Sequence, residues 1–233
     1  MTQGIFMPNY RPFIRRDIYT TDFREYTLGV QPGDWTSRYA TTGFTATVET
    51  VPGSLSGQAL RWTKTAVTRQ FLSWDRVPLA ANVEILCRYR AIETWANGEA
   101  FAWLMARASG GAGTETGYLN RTYGQTSSTR WAVDFGMYNA GTSSNLGNNQ
   151  FGPSPNYVVN EWAWSRFNVS GTTLRRKAWH SAAAEPATWA ETITNSTITA
   201  AGWTGLFNPL ANPDVEIDFF GVGLNGQTVP LPA

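Results

Sequence analysis

The sequence predicts an all-β protein, a sandwich or barrel of short antiparallel strands. Period-2 alternation of apolar and polar residues recurs from residue 43 onward, and each alternating run is bounded by Gly, Pro, Asn, Asp or Ser. No segment carries a 3.6-residue apolar stripe, and "HSAAAEPA" offers at most one helical turn before Pro186. At 233 residues the chain suits one large β domain, which can bury about 70–75% of its unfolded surface.

Residues 1–21 show no strand pattern until "DIYTTDF" and contain Pro8, Pro12, Arg11, Arg15 and Arg16. They read as an extended arm ahead of a domain spanning 22–233. In "FTATVET", Phe44, Ala46 and Val48 alternate with Thr45, Thr47 and Glu49. In "TRWAVDFGM", Trp131, Val133, Phe135 and Met137 alternate in the same way. Further strands are expected at 58–64, 69–75, 83–92, 100–107, 116–121, 162–169, 173–180, 188–193 and 215–222. "AFAWLMARA" is apolar on both faces, as in a strand buried in mid-sheet. Residues 108–128 and 139–161 read as long polar connections with embedded aromatics, and loops of such length are usually functional or disordered.

A net charge of +1 points away from a nucleic-acid-binding domain. Cys87 is the single cysteine, so no disulfide framework exists. Its alternation with Val83, Ile85 and Tyr89 makes it a core residue. "MTQGIFMPNYRPFIRR" has no continuous apolar stretch of the signal-peptide kind, and nowhere do eighteen apolar residues run together. The expectation is a soluble protein made in a cytoplasm.

In "VEIDFFGVG" Glu216 and Asp218 stand two apart, so both carboxylates should leave one face of a strand. Paired carboxylates on a sheet face suit glycoside hydrolysis, and Glu84 or Asp134 could supply a partner to Glu216. The bland reading is that they are polar groups on a sheet face. His180 is the only histidine, with no nucleophile motif around it, and reads as a surface residue at a strand end. Metal ligands are too few for a zinc site, and no cofactor is expected. Eleven Trp residues remain. Trp62, Trp74, Trp103 and Trp131 lie in expected strands, where packing is the default role. Tyr118, Tyr123, Phe151 and Tyr157 lie in the two long connections and, with Trp103, are the candidate carbohydrate-binding aromatics.

"DFREYTLGVQPGDWTSRY", "EWAWSRFNVSGTTLRRKAW" and "EPATWAETITNSTITAAGWTGLF" before "VEIDFFGVGL" together resemble the concanavalin A-like lectin/glucanase jelly rolls, including laminin-G-like members, over residues 22–225. The resemblance implies an antiparallel two-sheet jelly-roll sandwich. Glucanase members carry E-x-D-x-(x)-E, and here Phe220 and Gly221 stand where the third carboxylate would fall, which leaves no proton donor. Such jelly rolls are also modules of tailed-phage and phage-like virions. The resemblance therefore implies a non-enzymatic structural or adhesive virion protein, a capsid decoration, head fibre or tail-fibre module. Phe6, Tyr10, Phe13, Arg15 and Arg16 of the arm would dock it to other virion proteins or to copies of itself, with host-surface glycan as a further partner. A freestanding lectin, or a hydrolase using Glu216 and Asp218, are the alternatives.

Overall fold

The computed structural model describes residues 17–94, 101–125, 130–147, 150–151, 157–209 and 214–232, and only the backbone of residues 125, 130, 131, 150 and 151. Sixteen strands and no helix occur among them. In chain order the first eight are β1 (Ile18–Thr21), β2 (Trp35–Ser37), β3 (Phe44–Thr50), β4 (Gln58–Lys64), β5 (Gln70–Trp74), β6 (Val83–Ala91), β7 (Trp103–Ser109) and β8 (Thr116–Gln125). The rest are β9 (Arg130–Asn139), β10 (Thr142–Asn145), β11 (Gln150–Phe151), β12 (Ala163–Ser170), β13 (Thr173–His180), β14 (Glu191–Thr194), β15 (Trp203–Asn208) and β16 (Val215–Leu224). They form an antiparallel two-sheet sandwich. The first sheet runs β14-β13-β12-β6-β16-β4-β3 with β1 also on β16; the second runs β10-β9-β8-β7-β15-β5-β2 with β11 also on β9.

β16 organises the first sheet. It pairs with β6 along its length, while its other edge is shared: β4 takes Val215–Ile217 and β1 takes Phe220–Gly223. Residues 18–21, assigned to the arm on sequence pattern, therefore belong to the sandwich. The physical reason is the edge of β16 that β4 leaves unpaired beyond Ile217. Phe6, Tyr10, Phe13, Arg15 and Arg16 lie outside the described residues.

The first long connection is mostly strand, and the second returns two short strands to the sheet. Residues 116–125 pair along β9, and β10 and β11 return onto β9. β8 extends the strand expected at 116–121 to Gln125 and carries a polar group at an inward position: the Asn120 amide donates across the sandwich to Ser165 Oγ at 2.7 Å. A buried polar group costs little when it finds a partner, so no apolar residue is needed there. β15 is a strand the sequence pattern does not mark; it is broken by Gly205, where an added Cβ would stand 1.9 Å from the Leu72 carbonyl oxygen. Only glycine lets β15 approach β5 so closely.

The core fills the space between the sheets. Trp35 and Trp74 stack with ring centres 5.7 Å apart, and Phe220 meets their edges at 5.1 and 5.8 Å. Val83, Ile85, Cys87 and Tyr89 face inward from β6 and are wholly or almost wholly buried. Burying one large apolar side chain stabilises by about 1.5–3 kcal/mol. Arg107 ties three loops together. It has a left-handed φ of 53° at a bulge in β7, and its guanidinium donates to the carbonyls of Ala81, Ile198 and Gly171.

Candidate functional site

Because β6 turns Val83, Ile85, Cys87 and Tyr89 inward, Glu84, Leu86, Arg88 and Arg90 stand on the outer face of the first sheet. Glu216 and Asp218 of β16 join them there, on one face as their spacing predicts. A bulge between Ile217 and Phe219 adds the extra residue that turns Asp218 and Phe219 outward together.

Glu216 is bound by two arginines and Asp218 by a third. Arg61 of β4 donates to Glu216 Oε1 from Nη2 at 2.6 Å and from Nε at 3.1 Å, while Arg90 donates to Oε2 at 2.7 Å. Arg88 Nη1 donates to Asp218 Oδ2 at 2.6 Å, and the Leu55 amide donates to the same oxygen at 2.9 Å. Arg88 also reaches Ser181 Oγ at 3.0 Å. Trp162 lies between Arg88 and Arg90, its ring centre 4.8 and 4.6 Å from their guanidinium carbons. Glu216 and Asp218 are both 0% exposed. Burial pushes the Asp218 carboxyl up to about 7, against the pull of Arg88 and the Leu55 amide. Its Oδ1 is buried with no hydrogen-bond partner.

Asp214 extends the row, a residue the sequence reading left out. Its carboxylate accepts from Thr63 Oγ1 at 2.8 Å and from the Lys64 amide at 3.3 Å. Three carboxylates thus line one strand, each engaged by a donor of β4, β6 or the loop before β4. Neither proposed partner of Glu216 converges on it. Glu84 lies at the far end of β6 from Arg90, about 20 Å along the strand, and accepts from Arg166 and the Val229 amide. Asp134 is in the other sheet, held by Arg121 at 2.6 and 2.8 Å and by Tyr123 at 2.9 Å.

The remaining candidates are placed as follows. His180 is not a surface residue: it is 4% exposed, with Nδ1 2.8 Å from Glu161 Oε1. Tyr118 and Tyr157 are fully buried. The Tyr118 hydroxyl donates to Asn195 and accepts from the Ile198 amide, and Tyr157 Oη accepts from the Ala91 amide. Trp103 is buried on the outer face of the second sheet, its indole donating to the Thr122 carbonyl at 2.9 Å. As placed, these three offer no open ring face for a sugar; their residue type suited both packing and binding, and packing claims them. Tyr123 is half-buried. The Phe151 side chain lies outside the described residues.

The outer face of the second sheet is an aromatic layer capped by arginines. Arg38 covers Trp203 at 3.9 Å, Arg69 covers Tyr138 at 4.7 Å, and each is paired to a carboxylate, Asp75 or Glu115. Two clefts open elsewhere. One of about 650 Å³ is lined by Thr20, Asp22, Arg76, Phe219 and Leu231 among others. A second of about 360 Å³ lies on the outer face of the first sheet, between β13 and the segment after β16. Among the described residues no three His, Cys, Asp or Glu side chains gather to hold a metal.

Some of this was readable in the sequence. "CRYRA" sets Arg88 and Arg90 two apart, opposite to Cys87 and Tyr89, and "DVEID" sets three acids at the same period. These complementary rows are a signal for a cross-strand charge network.

No family model matches the chain, and no curated protein matches its sequence. Solved structures do resemble it. The cellulose-induced protein Cip1 aligns at 12% identity and a TM-score of 0.56, over 88% of this chain and 96% of that one. A CBM2 module of the evolved Dit of Lactobacillus casei BL23 phage J-1 aligns at 12% identity and 0.52, over 91% and 96%. The conserved carbohydrate esterase of Shiga toxin-encoding bacteriophage phi24B aligns at 16% identity and 0.51, over 82% and 90%. At these identities the likeness is one of fold, a β-sandwich.

Proposed function

We propose that this chain is a non-enzymatic structural and adhesive module of a tailed-phage or phage-like particle, docked through the residues ahead of β1 and binding glycan on its sandwich. The observation that carries the non-catalytic part is the state of Glu216. Both its oxygens are held by arginines and it has no exposed surface, whereas a glycosidase nucleophile must meet the sugar opposite a proton donor. The phage origin of two fold neighbours supports the setting.

Mass spectrometry of purified particles from the native source tests the reading. It expects the chain at a fixed copy number per particle. Absence from every particle fraction, with glycan binding retained, replaces it by a freestanding lectin. Reducing-sugar release from β-glucans and galactans is expected to be nil for both the wild type and Glu216→Gln. Turnover lost on that substitution overturns the non-enzymatic reading.

A further inference from the structure

The smaller cleft holds an arrangement that the row at Glu216 does not use. Cross-strand register sets Arg175 of β13 opposite Asn168 of β12, and Asn168 opposite Glu84 of β6. The three side chains form one rung on the outer face of the first sheet, with strands about 4.8 Å apart. Thr173 and Ser170 stand on the neighbouring rung, and Trp189, Gly226 and Thr228 close the cleft. At about 360 Å³ it is large enough for a small ligand.

Its charges are unequally satisfied. Glu84 pairs with Arg166, Arg166 also with Glu185, and Glu185 with Lys177. That chain of charges is closed on itself. Among the described residues, Arg175 makes no ion pair or side-chain hydrogen bond, and neither does the Asn168 amide. Arg175 is exposed and Asn168 half-buried. Trp189 lies beside Lys177, whose ammonium is 5.0 Å from the ring centre and donates to the Pro186 carbonyl at 2.7 Å. The cleft therefore presents one uncompensated guanidinium, one free amide and one half-buried indole.

We infer that this cleft binds a carboxylated sugar unit: the Arg175 fork takes the carboxylate, Asn168 takes ring hydroxyls, and Trp189 packs against the apolar face of the ring. A planar guanidinium matches a carboxylate with two parallel hydrogen bonds, which a neutral sugar cannot offer. The inference rests on the glycan-binding part of the proposed function and gives that part a location and a ligand class.

The test titrates the full chain with trigalacturonate, its methyl ester, sialyllactose and lactose, by calorimetry and by tryptophan fluorescence. The carboxylated probes are expected to bind at least about tenfold more tightly than their neutral counterparts, a tenfold step being 1.4 kcal/mol. Arg175→Gln should reduce the acidic probes to the neutral level, and Trp189→Ala should abolish binding. Melting temperatures of both variants should stay at the wild-type value, because neither side chain is core. Neutral probes binding as well as acidic ones would overturn the ligand class. Glycan binding that survives both substitutions would overturn the location and leave the adhesive reading standing. Binding of none of the panel would overturn both.

Discussion

Asp218→Asn separates two opposed accounts of a buried ion pair. Asp218 is raised from 3.8 to about 7 by burial, so the folded chain keeps a proton at pH values where the unfolded chain has lost it. Its contribution to stability is then complete below about pH 4 and is lost as pH rises through 7. At 1.36 kcal/mol per pH unit, the whole loss is about 4 kcal/mol. Asparagine cannot ionise, yet it keeps an oxygen to accept from Arg88 and the Leu55 amide. Urea unfolding of both proteins at pH 4.5, 6 and 8, followed by tryptophan fluorescence, should show the wild type weakening relative to Asp218→Asn by about 3 kcal/mol across that range, the rest of the loss falling below pH 4.5. Other carboxylates titrate alike in both proteins and drop out of the difference. The opposite account holds that Arg88, left unpaired in the variant, costs about 3–5 kcal/mol. A variant less stable by that amount at pH 8, with a gap insensitive to pH, would refute the burial argument.

Lys64 gives the complementary slope. It is 5% exposed, and its ammonium donates to the carbonyls of Thr68 and Asn208 at 2.9 and 2.8 Å. Burial lowers it from 10.5 to about 7; its contribution is present above 10.5 and is lost as pH falls through 7. Stability relative to Lys64→Met should therefore rise by about 3 kcal/mol between pH 7 and 9.5, read from urea midpoints. Gly205→Ala should destabilise by about 3 kcal/mol, the upper end for overpacking, because the new methyl meets the backbone of β5 rather than a movable side chain. A shift in melting temperature within error of zero would contradict the close approach of β15 and β5.

The legible part of the fold was its local periodicity. "VEILCRYRA" and "FTATVET" name their own inward residues because side chains alternate along any strand, whatever it pairs with. β8 was legible only over 116–121, because its inward face includes Asn120, a polar group that only Ser165, 45 residues away, makes tolerable. β1 was assigned to the arm because four residues hold too few alternations to identify a strand. The acidic pair was found, but its meaning was not, since Arg61 and Arg90 reach Glu216 from strands 155 and 126 residues away.

By itself the sequence determined the class of fold, the inward residues of the longer strands and the shared face of Glu216 and Asp218, all consequences of a two-residue repeat. Tertiary structure alone decided which arginines these acids meet, that Tyr118 and Tyr157 pack inside, and that Arg175, Asn168 and Glu84 share a rung. Strand register is set by the burial of whole faces across distant segments, and no local stretch of chain contains that information.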